Sequence, residues 1–66
     1  MKQYDTFVLL EDLNPVITKG MRGVILEIYS LDDIEVEFVK KDATSYEYEG
    51  RFTFTINKRI IKLLSA

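Results

Sequence analysis

From Ile34 to Phe38 apolar and acidic side chains alternate with a period of two, and one more apolar residue, Val39, follows. In an extended chain this places Ile34, Val36 and Phe38 on one face and the intervening acids on the other. Residues of this kind, rich in β-branched and aromatic side chains, favour a strand over a helix. The segment therefore predicts a strand with one face in a core and one face in water.

A second apolar segment, Val24–Tyr29, precedes this strand and is separated from it by the short turn Ser30–Asp33. Strict alternation predicts that Val24, Leu26 and Ile28 face the core. The two segments together predict a β-hairpin.

Two glycines, Gly20 and Gly23, lie just before this hairpin within the segment Lys19–Gly23. Gly20 is expected to adopt a positive φ, which glycine tolerates without a steric penalty. Gly23 is expected to allow a bend or a close approach of another chain segment.

The N-terminal part of the chain predicts one strand and a loop. Thr6–Leu10 is short, apolar and typical of a buried strand. The following loop contains the turn signal Asn14-Pro15, and Val16 and Ile17 are expected to fold back over the core.

The C-terminal half predicts further short strands and a helical turn. After a turn at Lys40–Thr44, the alternating segments Tyr46–Glu49 and Phe52–Ile56 flank Gly50 and are either two short strands or one strand kinked at the glycine. We favour a hairpin with Phe52, Phe54 and Ile56 inward. Asn57 is placed to cap a single helical turn before a last strand over 60–64. The alternative is a short helix over 57–64.

These elements predict an all-β protein, a small SH3-like barrel of about five short strands with a single helical turn before the last strand. The 66 residues form one domain, 1–66, with one small core. Closing the sheet, or nearly so, would hide edges that an open sheet exposes.

The composition excludes several kinds of chemistry. The chain has no Cys and no His, so it lacks a disulfide, a thiol nucleophile and an imidazole base or metal ligand. Glu35 and Glu37 lie on one strand face, but such positions are normally charged and no third ligand stands at a fixed spacing. We expect no enzyme, no catalytic residue, no metal and no cofactor.

The apolar segments are too short to span a membrane, and the N-terminus does not resemble a signal peptide, because Asp5 precedes any long apolar stretch. We therefore expect a cytoplasmic protein with no membrane partner.

The formal net charge of −2 conceals an uneven distribution. Residues 27–49 contain eight acids and two bases, whereas the rest of the chain contains three acids and seven bases. A net charge of −6 in the middle thus opposes +4 at the ends. This distribution predicts an acidic face suited to a basic partner, although chance grouping of solvated charges is the alternative.

The segment Lys19-Gly20-Met21-Arg22-Gly23-Val24, continuing into Ile34–Phe38, resembles the KOW-type motif of small SH3-like barrels. Most of 6–64 also resembles a family of short bacterial SH3-like domains of unknown function. Some proteins of that general kind lie beside bacterial toxins and are thought to be immunity proteins, a role that the resemblance implies here. KOW modules that bind RNA usually surround the motif with bases, whereas this chain carries acids after Gly23, which would repel phosphate.

Two functional hypotheses follow. The first is a non-enzymatic protein-binding module, of the immunity or antitoxin type, that uses an acidic face against a basic protein. Its expected contacts are acids and tyrosines in the middle of the chain: Tyr29, Asp32, Asp33, Glu35, Glu37, Tyr46 and Glu47. Tyr46 and Tyr48 share one side of their segment, which is either packed on the core or exposed as an aromatic pair.

The alternative is an RNA- or ribosome-associated KOW-like module. It would use the bases Lys19, Arg22, Lys58 and Arg59. Either module is compatible with a monomer or a homodimer, because a small sheet with an unpaired edge often dimerises.

Overall fold

The computed structural model describes residues 1–64, and Ser65 and Ala66 of the predicted domain lie outside the described residues. Its elements follow one another as β1 (Thr6–Leu9), β2 (Arg22–Ile28), β3 (Asp33–Phe38), β4 (Thr53–Asn57), a 3-10 turn (Lys58–Ile60) and β5 (Ile61–Leu63). The strands form one antiparallel sheet in the order β4-β3-β2-β1-β5. The predicted all-β fold, with about five strands and a helical turn before the last one, is confirmed.

The core lies on one face of this sheet, called here the inner face. Its buried residues come from every strand and from one loop, and they are Phe7, Leu9, Ile17, Ile25, Ile34, Val36, Phe38, Ile56 and Ile61. The alternation predicted for β3 is confirmed, because its three apolar residues are buried while Glu35 and Glu37 remain partly exposed on the opposite, outer face. In β1 only Phe7 and Leu9 are buried, and Leu10 lies exposed beyond the strand end.

Gly23 lies between two phenylalanines in one row of the sheet, paired with Phe7 on one side and Phe38 on the other. The two rings meet across it edge to face, with centroids 5.6 Å apart and planes at 81°. A Cβ atom at position 23 would lie 2.6 Å from Cζ of Phe7 and 2.7 Å from the carbonyl oxygen of Glu37. The close approach predicted for Gly23 is confirmed, and it is what brings the two rings together.

The inner face of β2 is the reverse of the predicted one. Ile25 is fully buried opposite Val36, whereas Val24 and Leu26 are half-buried on the outer side. Between Ile25 and Glu27 the register shifts by one residue, as in a β-bulge, so strict alternation fails. Beyond the shift Ile28 pairs with Ile34, but it stays exposed near the strand end.

Two side chains, those of Asp12 and Asn14, order the loop between β1 and β2. The carboxylate of Asp12 accepts a hydrogen bond of 2.8 Å from the backbone N–H of Lys19. The side-chain oxygen of Asn14 accepts hydrogen bonds from the backbone N–H groups of Val16 and Ile17, at 2.9 and 2.8 Å. This turn directs Ile17 into the core and leaves Val16 exposed, so the prediction is right for Ile17 and wrong for Val16. Gly20 has φ = 94°, as expected.

The segment before β4 departs from the predicted hairpin. Tyr46–Glu49 is not a strand, and only isolated bridges join Val39 to Ser45 and Tyr48 to Arg51. The chain reverses there in a two-residue turn, in which Glu49 and Gly50 both have positive φ, as a type I′ turn requires. Phe52 precedes β4 and is 51% exposed, so its predicted inward position is wrong.

The end of the chain follows the favoured prediction. The side chain of Asn57 accepts a hydrogen bond of 2.9 Å from the backbone N–H of Arg59 and caps the 3-10 turn. The alternative helix over 57–64 is excluded, because Ile61–Leu63 pairs with β1. Among the described residues, no helix is long and apolar enough to cross a bilayer.

The steric argument predicts that Gly23→Ala lowers the free energy of unfolding by about 2 kcal/mol or more, since a Cβ would press on both a ring and a backbone carbonyl. Urea denaturation followed by circular dichroism measures this. Gly20→Ala is the control, because its Cβ would meet nothing within 4 Å. Its cost is the strain of a positive φ, about 1 kcal/mol. Equal losses for the two variants would contradict the proposed crowding at Gly23.

Candidate functional site

The turn between β2 and β3 is tightly organised although it is exposed. The backbone N–H of Tyr29 donates to the carbonyl of Asp33 at 3.0 Å. The hydroxyl of Ser30 accepts hydrogen bonds from the N–H groups of Asp32 and Asp33, at 3.3 and 3.1 Å. These bonds fix the backbone that carries the two aspartates. The turn therefore presents its side chains from an ordered backbone.

Two large apolar side chains project from this turn. Leu31 is 84% exposed and Tyr29 is 59% exposed, next to Asp32 and Asp33 in sequence. Single exposed apolar residues are common, but a leucine and a tyrosine on one fixed turn form a small patch bordered by carboxylates. Apolar and aromatic contacts surrounded by polar groups are the usual composition of a protein-binding surface.

The outer face of the sheet extends this acidic region. Glu27 and Glu35 are paired directly across β2 and β3, and Glu37 follows two residues further along β3. Like charges directly opposite in an antiparallel pair destabilise the sheet. The hydroxyl of Thr55, on β4, donates a hydrogen bond of 2.5 Å to the Glu35 carboxylate and so holds it toward the side of β3 opposite to Glu27.

These groups define what we call the acidic surface. It consists of the hairpin turn and the adjacent part of the outer face: Glu27, Tyr29, Leu31, Asp32, Asp33, Glu35 and Glu37. Five of the predicted contact residues belong to it. Leu31 and Glu27 were not among them, although the exposure of Leu31 could have been anticipated from its position in a polar turn.

Tyr46 and Glu47, the other two predicted contact residues, lie elsewhere. The backbone N–H of Tyr46 donates to the carbonyl of Phe38, at the end of β3 opposite to Asp33. Asp33 and Phe38 are five positions apart along β3, about 17 Å at the usual rise. Tyr46 and Glu47 therefore lie near the Glu37 end of the acidic surface and far from its hairpin turn.

The orientation of the tyrosines, left open by the sequence, is intermediate. Tyr46 is half-buried and packs against the core cluster, and the Nζ of Lys40 lies 5.1 Å from its ring centroid. Tyr48 is also half-buried. Neither of the two predicted arrangements describes Tyr46 fully, because one part of its ring contacts the core and another part a cation.

The bases of the RNA hypothesis do not form one patch. The backbone N–H of Lys58 donates to the carbonyl of Asp32, which places Lys58 and Arg59 beside the acidic surface. Arg22 begins β2 at the opposite end of the sheet, where Val8 pairs with both Arg22 and Lys62. Lys40 and Lys41, counted within the acidic segment, follow the end of β3 and also lie at this basic end.

One carboxyl has a perturbed pKa, and it lies at the basic end. Thr44 donates hydrogen bonds to the Asp42 carboxylate from its hydroxyl at 2.6 Å and from its backbone N–H at 3.1 Å. These bonds, the hydroxyl first, with a smaller contribution from Lys40, hold the pKa of Asp42 below its ordinary value.

Across the part of the chain that the structure describes, no three acidic, His or Cys side chains are grouped in a way that could hold a metal ion. Comparisons with protein-family models, with curated proteins and with solved structures found no match. The resemblance to SH3-like and KOW-type domains therefore stays a prediction.

The cross-strand acid pair predicts that Glu27→Gln stabilises the protein. Removing one charge opposite Glu35 should raise the free energy of unfolding by about 0.5 kcal/mol at low salt. The gain should shrink in about 0.5 M salt, because screening already weakens the repulsion there. Urea denaturation at both salt concentrations tests this, with Glu47→Gln as the control for a general charge effect. A loss of stability in Glu27→Gln, or an equal gain in the control, would contradict the repulsion.

The Asp42 turn gives a pH-dependent prediction. A folded-state pKa below the unfolded one means that the turn's contribution to stability is present above the unfolded pKa and is lost as pH falls through the folded value. Thr44→Ala should raise the pKa of Asp42 toward its ordinary value, because both the side-chain bond and the order of the turn are reduced. A carboxyl NMR titration measures the midpoint, and Thr55→Ala should leave the Asp42 midpoint unchanged. An unchanged midpoint in Thr44→Ala would show that Thr44 is not the cause.

Proposed function

We propose that this protein is a non-enzymatic protein-binding module that docks on a basic protein through its acidic surface. The observation that carries the proposal is the ordered hairpin turn, on which exposed Tyr29 and Leu31 stand beside Asp32 and Asp33. Association then requires little ordering of the turn backbone, which reduces one of the usual costs of binding.

The apolar and the charged groups of the acidic surface have different roles in this proposal. Tyr29 and Leu31 would be buried on binding and would supply most of the affinity, since aromatic and apolar anchors dominate interface energetics. The carboxylates would increase the rate of association with a cationic partner. Lys58 and Arg59, which border Asp32, would restrict the approach to the side of the surface that carries Glu27, Glu35 and Glu37.

The repulsion between Glu27 and Glu35 also supports this proposal. A surface that keeps like charges in direct opposition reduces the stability of the free protein. A basic side chain placed between these carboxylates would relieve the repulsion. Part of the binding free energy would then come from removing an electrostatic repulsion that destabilises the unbound protein. This is the behaviour expected of a specific binding surface rather than of a merely solvated one.

The proposal includes an inhibitor role of the immunity or antitoxin type, in which the module covers a cationic surface of its partner. It also includes an SH3-like barrel and a cytoplasmic setting, as the sequence resemblance and composition imply. The last strand lies beside the first and is preceded by a helical turn, which supports the barrel. The placement of Arg22 at the opposite end of the sheet from Lys58 and Arg59 weakens the proposed RNA surface, which includes all three of these bases and Lys19.

The proposal is tested by site-specific photocrosslinking in the native host. A photoreactive benzoylphenylalanine replaces Tyr29 in one protein and Leu63, which is 38% exposed on β5, in the control. We expect a basic protein to be crosslinked from position 29 and not from position 63. Recovery of nucleic acid alone, or equal crosslinking from both positions, would refute the proposal.

Charge reversal with that identified partner then measures the role of the carboxylates. Asp32→Lys with Asp33→Lys should slow association by about tenfold or more at low salt. Glu11→Lys with Glu47→Lys changes the net charge equally away from the acidic surface and should change the rate by only about twofold. Stopped-flow kinetics checks this, and equal slowing in both proteins would show that net charge alone is responsible.

A further inference from the structure

A cavity of about 400 Å³ lies at the basic end of the sheet, beyond the end of β3 opposite to the hairpin turn. Its lining includes three cationic side chains, one aromatic ring and one thioether: Arg22, Lys40, Lys41, Tyr46 and Met21. This volume is within the range of small-molecule sites, about 300–1,000 Å³. Neither the acidic surface nor the proposed docking function uses any of these residues.

Backbone hydrogen bonds bring the cavity lining together from two parts of the chain. The N–H of Val39 donates to the carbonyl of Arg22 at 3.2 Å, which places the start of β2 beside the segment that follows β3. The N–H of Tyr46 then donates to the carbonyl of Phe38 at 2.9 Å and returns the tyrosine to the same place. The site therefore depends on pairing of the sheet rather than on one flexible loop.

The aromatic ring and the cations are arranged for two kinds of contact. Tyr46 packs on the core cluster, and Lys40 places its ammonium 5.1 Å from the ring centroid. The ring is therefore held by packing, and the group that covers it is a long and flexible side chain. A flat ligand can replace Lys40 over the ring and leave its ammonium free for an anion.

The acid nearest in sequence to these lysines is already engaged. The Asp42 carboxylate accepts both of its hydrogen bonds from Thr44 within its own turn, although Lys40 still interacts with it at longer range. Because the protein has a net charge of −2, it does not attract anions as a whole. The positive potential of Arg22, Lys40 and Lys41 is therefore confined to the cavity. These cations suit a ligand whose negative charge is confined to a small volume.

We propose that this cavity binds a nucleobase together with its adjacent phosphate, either as a free nucleotide or as one unit of a single strand. The base stacks on Tyr46, and Met21 provides an apolar wall beside it. Arg22, Lys40 and Lys41 bind the phosphate. A bare anion would use the cations and leave the ring and the thioether unused, so the lining favours a nucleotide over phosphate alone.

An NMR titration of the intact protein tests this inference. Three probes are added separately to ¹⁵N-labelled protein at low salt: adenosine monophosphate, a short oligoadenylate and inorganic phosphate. We expect saturable shifts of the Arg22, Lys40, Lys41 and Tyr46 amides with a nucleotide probe, and binding of inorganic phosphate weaker by about tenfold or more. Tighter binding of the oligoadenylate would assign a single strand as the source, and equal binding would assign the free nucleotide.

Matched variants separate the cavity from general electrostatics. Lys40→Gln with Lys41→Gln should weaken nucleotide binding by about tenfold, whereas Lys58→Gln with Arg59→Gln, which removes equal charge at the other end, should change it by about twofold. Tyr46→Leu should lose the preference for nucleotide over phosphate, and Tyr46→Phe should retain it. The same spectra report whether each variant is folded. If Tyr46→Leu is unfolded, the comparison between the two charge-removing pairs decides whether the cavity binds the nucleotide.

The absence of saturable shifts at low salt would overturn the inference. Equal affinities for the nucleotide and for inorganic phosphate would also overturn it, since the base would then contribute nothing. Equal weakening by the two charge-removing pairs would do the same, because it would assign binding to net charge rather than to the cavity. The docking proposal is independent of each of these outcomes, since none of the residues of the acidic surface lines the cavity.

Discussion

The ring of Phe7 lies across Gly23 and meets Phe38 on the far side, and this contact joins three adjacent strands in one row. It requires a residue without a Cβ, because both the ring and the Glu37 carbonyl occupy the space that a side chain would need. Since Glu37 alternates with Phe38, the same row that fixes the core also fixes which acids lie on the outer face. The core contact therefore determines the register on which the acidic surface depends.

A second constraint, the irregular pairing between Ile25 and Glu27, adapts this register to the rest of β2. The shift allows Ile25 to face the core and still brings Glu27 opposite Glu35. Without it, one of these two residues would lie on the wrong face, because side chains alternate strictly in a regular strand. The bulge thus allows Ile25 to be buried although Glu27, only two positions away, faces outward.

Much of this fold could be predicted from local patterns, because alternation in β3, the Asn57 cap and the turn glycines act through neighbouring residues. The inner face of β2 could not be, since its pattern of apolar residues fits either face until the partner strand fixes the bulge. The prediction for Phe52 is wrong because β4 begins only at Thr53, so the alternation of the strand does not extend to Phe52. The candidate contacts Tyr46 and Glu47 lie about the length of β3 away from the hairpin turn, a distance that a charge count along the sequence does not measure. The same count placed Lys40 and Lys41 in an acidic segment, although most of its acids belong to the acidic surface and these lysines line the cavity.

Charges of both signs lie close together at each end of β3. Lys58 and Arg59 border Asp32 at one end, and Asp42 interacts with Lys40 beyond the other. The fields of such mixed groups largely cancel beyond about one Debye length, roughly 8 Å at physiological salt. A partner therefore distinguishes the two ends of the molecule only over the last few ångströms of its approach, so the choice of orientation is made close to contact.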